Sequence, residues 1–194
     1  MLQPQRMMIR TTALAAIAAC GLIAGAHALT AEDLEGVSLE TTVTYAMRVK
    51  RPQGTFTPQV TMTMKFAVKD GVVVGTVTRS SQSTRGNRTN TNKMHAPLGV
   101  VGKPPAGGEG LWAIEDDKLV LLRAFTSGGF RAEISFQGGG ANMTCTIRAP
   151  FVREQGKGPI QTQDPPGGAL VTILEAVQKS ADCKVVSPPA RSAE

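Results

Sequence analysis

Aromatic residues are scarce in this chain: they make up 4% of 194 residues, with Trp112 the only tryptophan and Tyr45 the only tyrosine. A platform for stacking nucleic-acid bases needs several exposed rings among basic residues, so no nucleic acid is expected as a partner. Histidine is scarcer still, limited to His27 and His95. With His27 inside an N-terminal leader, His95 alone would have to support any histidine-based zinc site or Ser-His-Asp arrangement. Flanked by Met94 and Ala96-Pro97, it reads as an ordinary loop or strand-edge residue. The chain has no Gly-x-Ser-x-Gly elbow. Gly99-Val-Val-Gly102-Lys103-Pro104 has neither the spacing of a phosphate-binding loop nor a Ser or Thr after its lysine. The acidic cluster Glu115-Asp116-Asp117 lacks the spaced oxygen ligands of a calcium loop and reads as a solvated hairpin tip. Met47, Met62 and Met64 fall at strand spacing and read as core fillers rather than soft-metal ligands. No catalytic set and no cofactor or metal site emerges, so a non-enzymatic protein is expected.

Long apolar runs are also missing, except at the start. Arg6 and Arg10 precede the apolar run Thr11–Ala26, which is short and alanine-rich for a membrane span, and Ala26-His27-Ala28 supplies a small-x-small cleavage pattern. A signal peptide over residues 1–28, cleaved after Ala28, is expected, with Leu29 as the new N-terminus and no transmembrane segment left after processing. Ile17-Ala18-Ala19-Cys20 followed by Gly21 also fits a lipobox, in which Cys20 would be acylated; against it, the apolar run continues past Cys20 through Leu22-Ile23-Ala24. Either route leads to the periplasm or outside the cell. There the two cysteines remaining in the body, Cys145 and Cys183, form an even count where thiols oxidise, and a disulfide between them is expected.

Residues 29–194 suit one domain with a real core. The net charge of +6 falls to about +4 without the leader arginines, modestly basic. The dominant period is two, the alternation of a half-buried sheet. Leu39, Thr41, Val43, Tyr45, Met47 and Val49 form one stripe; Val60, Met62, Met64, Phe66 and Val68 form a second. Asp70-Gly71 then supplies a type I′ turn into Val72–Thr78. Further strands are expected at 111–114, 118–126, 130–136 (Phe130, Ala132, Ile134 and Phe136 inward) and 143–149, with Cys145 on the buried side. Thr30-Ala-Glu-Asp33 marks one capped helical turn closed by Gly36.

Two regions break the pattern. Ser80–Gly110 is polar and glycine-rich, which predicts a long mobile excursion with only a short strand near 94–101. In 169–178, Leu170, Ile173, Leu174 and Val177 have helical spacing, yet a strand is also consistent; strand is chosen, because Cys183–Val186 pairing back on it would bring Cys183 to Cys145. The tail 187–194 is expected to be disordered. The expected fold is all-β, an antiparallel barrel or sandwich of about eight or nine strands with a long loop excursion.

Leu111-Trp-Ala-Ile-Glu-Asp-Asp-Lys-Leu-Val-Leu-Leu-Arg123, Thr144-Cys-Thr-Ile-Arg-Ala-Pro150 and Ile173-Leu-Glu-Ala-Val-Gln-Lys-Ser-Ala-Asp-Cys-Lys-Val185 together resemble a group of small exported proteins of Gram-negative alphaproteobacteria, of unassigned function. The resemblance spans mainly residues 111–186. It implies a bacterial periplasmic setting and a Cys145–Cys183 pair, and it brings no catalytic residues. A weaker similarity, of architecture, is to lipocalins: Leu34-Glu-Gly36 precedes the first long strand, with Ser38 where the lipocalin Gly-x-Trp pattern has tryptophan.

Two features could carry function. One is the basic, amide-rich segment with Arg79, Arg85, Arg88 and Lys93, joined by Arg48, Lys50 and Arg51, which suits an anionic envelope polymer. The other is a barrel interior that would hold a small hydrophobic ligand if its side chains did not fill it. A binding or envelope-interaction module is the expected function.

Overall fold

The computed structural model describes residues 28–84, 86–99, 110–125, 127–163 and 169–188. Residues 1–27, which include Cys20 and all but the last residue of the expected signal peptide, together with Arg85 and the end of the tail, 189–194, lie outside the described residues. The protein is all-β. In chain order the strands are β1 (Ser38–Arg51), β2 (Gly54–Phe56), β3 (Gln59–Lys69), β4 (Val72–Ser83), β5 (Gly86–Gly99), β6 (Gly110–Glu115), β7 (Lys118–Phe125), β8 (Gly128–Gln137), β9 (Thr144–Arg148), β10 (Phe151–Arg153), β11 (Ile160–Gln163) and β12 (Leu170–Ser187). Two single 3₁₀ turns, Glu32–Leu34 and Gly140–Asn142, accompany them. Ten strands follow one curled path, β10-β8-β7-β6-β5-β4-β3-β1-β12-β11, with β2 on β1 and β9 on β8. The sheet is a mostly antiparallel half-barrel, and it holds more strands than the eight or nine expected: short β2, β10 and β11 carry too few alternations to be seen in sequence.

Alternation decides which side chains enter the core. Leu39, Thr41, Val43, Tyr45, Met47 and Val49 of β1 are all buried, as are Val60, Met64, Phe66 and Val68 of β3. Asp70 and Gly71 both adopt positive φ (52° and 68°) between Lys69 and Val72, the I′ geometry that the sequence demands. Asp116 and Asp117 do the same between Glu115 and Lys118. Gly75 faces Phe66 across the β3–β4 pair, where an added Cβ would collide with the Lys65 carbonyl. Above it, Trp112 packs on Phe66 with ring centroids 4.7 Å apart. The capped turn forms as the sequence suggests: Thr30 Oγ1 donates to Asp33 Oδ2 at 2.7 Å and accepts from the Asp33 N–H at 3.3 Å. It sinks Leu34 and Val37 into the core.

Three expectations need correction. Residues 80–99 are not a loop: β4 and β5 pair without interruption from Ser83↔Gly86 to Val72↔Pro97, and the strand expected at 94–101 begins eight residues earlier. Alternation there is between polar residues, so the hydrophobic signal is blank. Next, Cys183–Val186 does not pair back on 169–174. Both belong to β12, which lies against β1 from Lys50↔Thr172 to Ser38↔Ser187. Finally, Ser187, at the start of the expected tail, is the last residue of that strand.

Cys145 and Cys183 are bridged, with Cα atoms 5.5 Å apart. The bridge joins β9 to β12, strands that share no ladder among the described residues, and is compatible with an oxidising periplasmic or secreted setting. No helix among the described residues is long and apolar enough to cross a membrane.

Candidate anion-binding surface

The β4–β5 hairpin brings the predicted basic residues together on a regular frame. Val73 is buried and Val77 packs against the core, so the odd-numbered side chains of β4 follow the inner face of the sheet. The register places Arg79 opposite Asn90 and Ser81 opposite Arg88 on that face. Arg79 and Arg88 are therefore diagonal neighbours, roughly 7–8 Å apart at the backbone. Both are exposed, as is every residue from Gly86 to Lys93. Lys93, opposite Thr76, lies on the outer face, so the structure divides the predicted set between two sides. Arg85 stands at the hairpin tip in sequence, outside the described residues.

Charge in this region has one sign. From Gly71 to Gly108 the sequence contains no Asp or Glu, whereas Arg79, Arg85, Arg88, Lys93 and Lys103 all fall within it. Neutral donors surround the arginines: Asn90 and Asn92 share their face, and Asn87 lies on the other. On the outer face, hydroxyls bond across the strands, Thr78 to Thr91 at 2.9 Å and Ser80 to Thr89 at 3.1 Å, which stiffens the pair. Sequence reasoning identified the segment as amide-rich without singling out Asn90, Asn92 and Ser81. The signal was present in Thr89-Asn-Thr-Asn92, a period-two pattern in polar residues.

The remaining basic residues are placed elsewhere. Arg48, Lys50 and Arg51 occupy the end of β1, where Arg48 pairs with Glu175 at 3.6 Å. His95 is exposed on β5 opposite Val74. Met47 and Met64 are buried core residues, and Met62 is half-buried beside them. Asp117 turns to the N-terminal segment and accepts the Leu29 N–H at 3.0 Å. Glu115 instead joins a bridged cluster: Arg131 binds Glu115 at 2.5 Å and Glu133 at 2.6 Å, and Lys118 reaches Glu133 at 3.4 Å. Hydrogen bonding to Arg131 is the main cause holding the Glu133 carboxyl below its usual range.

Large side chains occupy the interior between the two halves of the sheet. Tyr45 meets Phe130 and Phe151 edge-on, with centroids 6.4 and 5.3 Å away, while Trp112, Leu119 and Ile134 are fully buried nearby. Two shallow clefts open outward. One, of about 480 Å³, lies between Met47, Pro58, Glu175 and Val177; the other, of about 430 Å³, lies between Leu39, Phe66, Val74 and Val186. Comparison with family models, with curated proteins and with solved structures returned no match to this chain.

Proposed function

We propose that the protein is an exported, non-enzymatic binding module of the bacterial envelope that engages an anionic polymer with its β4–β5 strand pair. The observation that carries this reading is the rigid, exposed placement of Arg79 and Arg88 on one face, within a stretch of chain that holds no carboxylate. Guanidinium groups match phosphate, sulfate and carboxylate through paired N–H donors. Neighbouring Asn90 and Asn92 add neutral donors. Affinity built this way is electrostatic and therefore weakened by salt.

The test is retention of the disulfide-intact protein on immobilised heparin at low ionic strength. Elution is expected at moderate salt, and at markedly lower salt for Arg79→Ala/Arg88→Ala. Lys65→Ala, which removes a cation on the outer face bound to Glu40 at 2.9 Å, serves as control and should elute like wild type. Elution of the double variant together with wild type overturns the reading.

A further inference from the structure

Among the described residues, strand β5 has a partner on one side only over Gly86–Pro97. Over Gly86–Pro97 it is matched residue for residue with β4, without a bulge. On its other side the described residues provide only Leu98↔Trp112 and Gly99↔Ala113 of β6. In an antiparallel ladder every second residue turns its N–H and C=O away from the partner strand. Between Gly86 and Lys93 these outward groups run in a straight row through residues that are all exposed.

An edge of this kind is a template for another strand. Natural sheets blunt such edges by making them short or bulged, or by placing proline and charge on them. Here the strand is 14 residues long and regular, and Pro97 lies beyond Gly86–Lys93. Only charge remains as a guard, and it has one sign: Arg88 on the inner face and Lys93 on the outer. Charge of one sign repels a second copy of the same edge but selects an oppositely charged strand.

We propose that this edge is completed by β-augmentation: an extended, acidic polypeptide segment of a partner protein adds as a strand beside Gly86–Lys93. Main-chain hydrogen bonds supply affinity in this mode, and alternating side chains supply specificity. Arg88 and Lys93 are five residues apart and face opposite sides of the sheet, so a matching segment carries carboxylates five positions apart. A polysaccharide has no regular row of amides to match the edge. The inference rests on the anion-binding reading of the same hairpin and names the partner as polypeptide.

The probe is a fluorescein-labelled ten-residue peptide, rich in Thr and Val, with two Glu five positions apart; its control is the same peptide N-methylated at alternate residues. Both are titrated against the disulfide-intact protein by fluorescence anisotropy, with heparin retention measured in parallel. Binding that falls at least tenfold on N-methylation and on Arg88→Glu, with slowed amide exchange at Thr89 and Thr91, is expected. Peptide binding that ignores N-methylation while heparin is retained overturns strand addition and leaves the charged surface standing. Loss of both peptide and heparin binding overturns both readings. A dimer in sedimentation that protects the same amides without peptide identifies a second copy as the occupant and overturns the proposal.

Discussion

The Tyr45 hydroxyl donates a 2.6 Å hydrogen bond to the carbonyl oxygen of Ala149, a residue 104 positions away. The N–H of the same alanine donates to Gln178 Oε1 at 3.0 Å. Ala149, fully buried between β9 and β10, is thereby tied to both β1 and β12, whose Tyr45 and Gln178 are register partners. Tyr45→Phe keeps the ring contacts with Phe130 and Phe151 but leaves the buried carbonyl unpaired, at a cost of about 1–3 kcal/mol. Urea denaturation of the two proteins measures it, and equal midpoints would discount the bond.

The same residue predicts an alkaline limit. Burial pushes the Tyr45 phenol well above its ordinary value near 10. The native state therefore keeps a proton that the unfolded chain releases, so stability falls as pH rises above about 10. In Tyr45→Phe this contribution to the alkaline fall should be absent from pH-dependent melting curves.

Removing the bridge with Cys145→Ala/Cys183→Ala should lower stability by roughly 4 kcal/mol, the loop-closure entropy expected for a separation of 38 residues. Since β9 and β12 share no ladder among the described residues, amide exchange should quicken first in β9, at Thr144–Arg148.

Thr41 is fully buried, its hydroxyl without a hydrogen-bond partner among the described residues, in register with Met64 on β3 and Cys183 on β12. Thr41→Val replaces that hydroxyl with a methyl of similar size and should stabilise the protein by about 1 kcal/mol. A lowered denaturation midpoint would contradict this.

On the acid side, Glu133 has the opposite sign to Tyr45. Its lowered pKa means that the native state binds fewer protons than the unfolded chain. The stabilisation is present above the ordinary glutamate value of about 4.3 and is lost as pH falls through the folded value. Thermal midpoints should drop across this window in wild type and less steeply in Glu133→Gln.

The strands legible in the sequence are those whose alternation is apolar on one side. β1 and β3 could be read residue by residue, and Asp70-Gly71 named its own turn. β5 was illegible because its end extends beyond the core, so Arg88, Asn90 and Asn92 face inward without burial. β12 is blurred for another reason. Register shifts opposite Thr44/Tyr45 and Arg48/Val49 move its inner face through Ile173, Ala176, Gln178, Ala181, Cys183 and Val185. Of the four residues whose spacing looked helical, only Ile173 lies on that face, and Leu170 and Val177 are exposed. The basic surface was legible as composition, whereas its division into two faces needed the register.

The first long strand of this sheet lies between β3 and β12, so one of its two ladders waits for a segment made more than a hundred residues later. Long-range pairings of this kind delay folding until the distant segment arrives. The local β1–β3, β3–β4 and β4–β5 ladders need no such delay, so the wait falls on the β1–β12 closure alone. Only after β12 has been made can the β1–β12 ladder zip and the sulfurs of Cys145 and Cys183 meet.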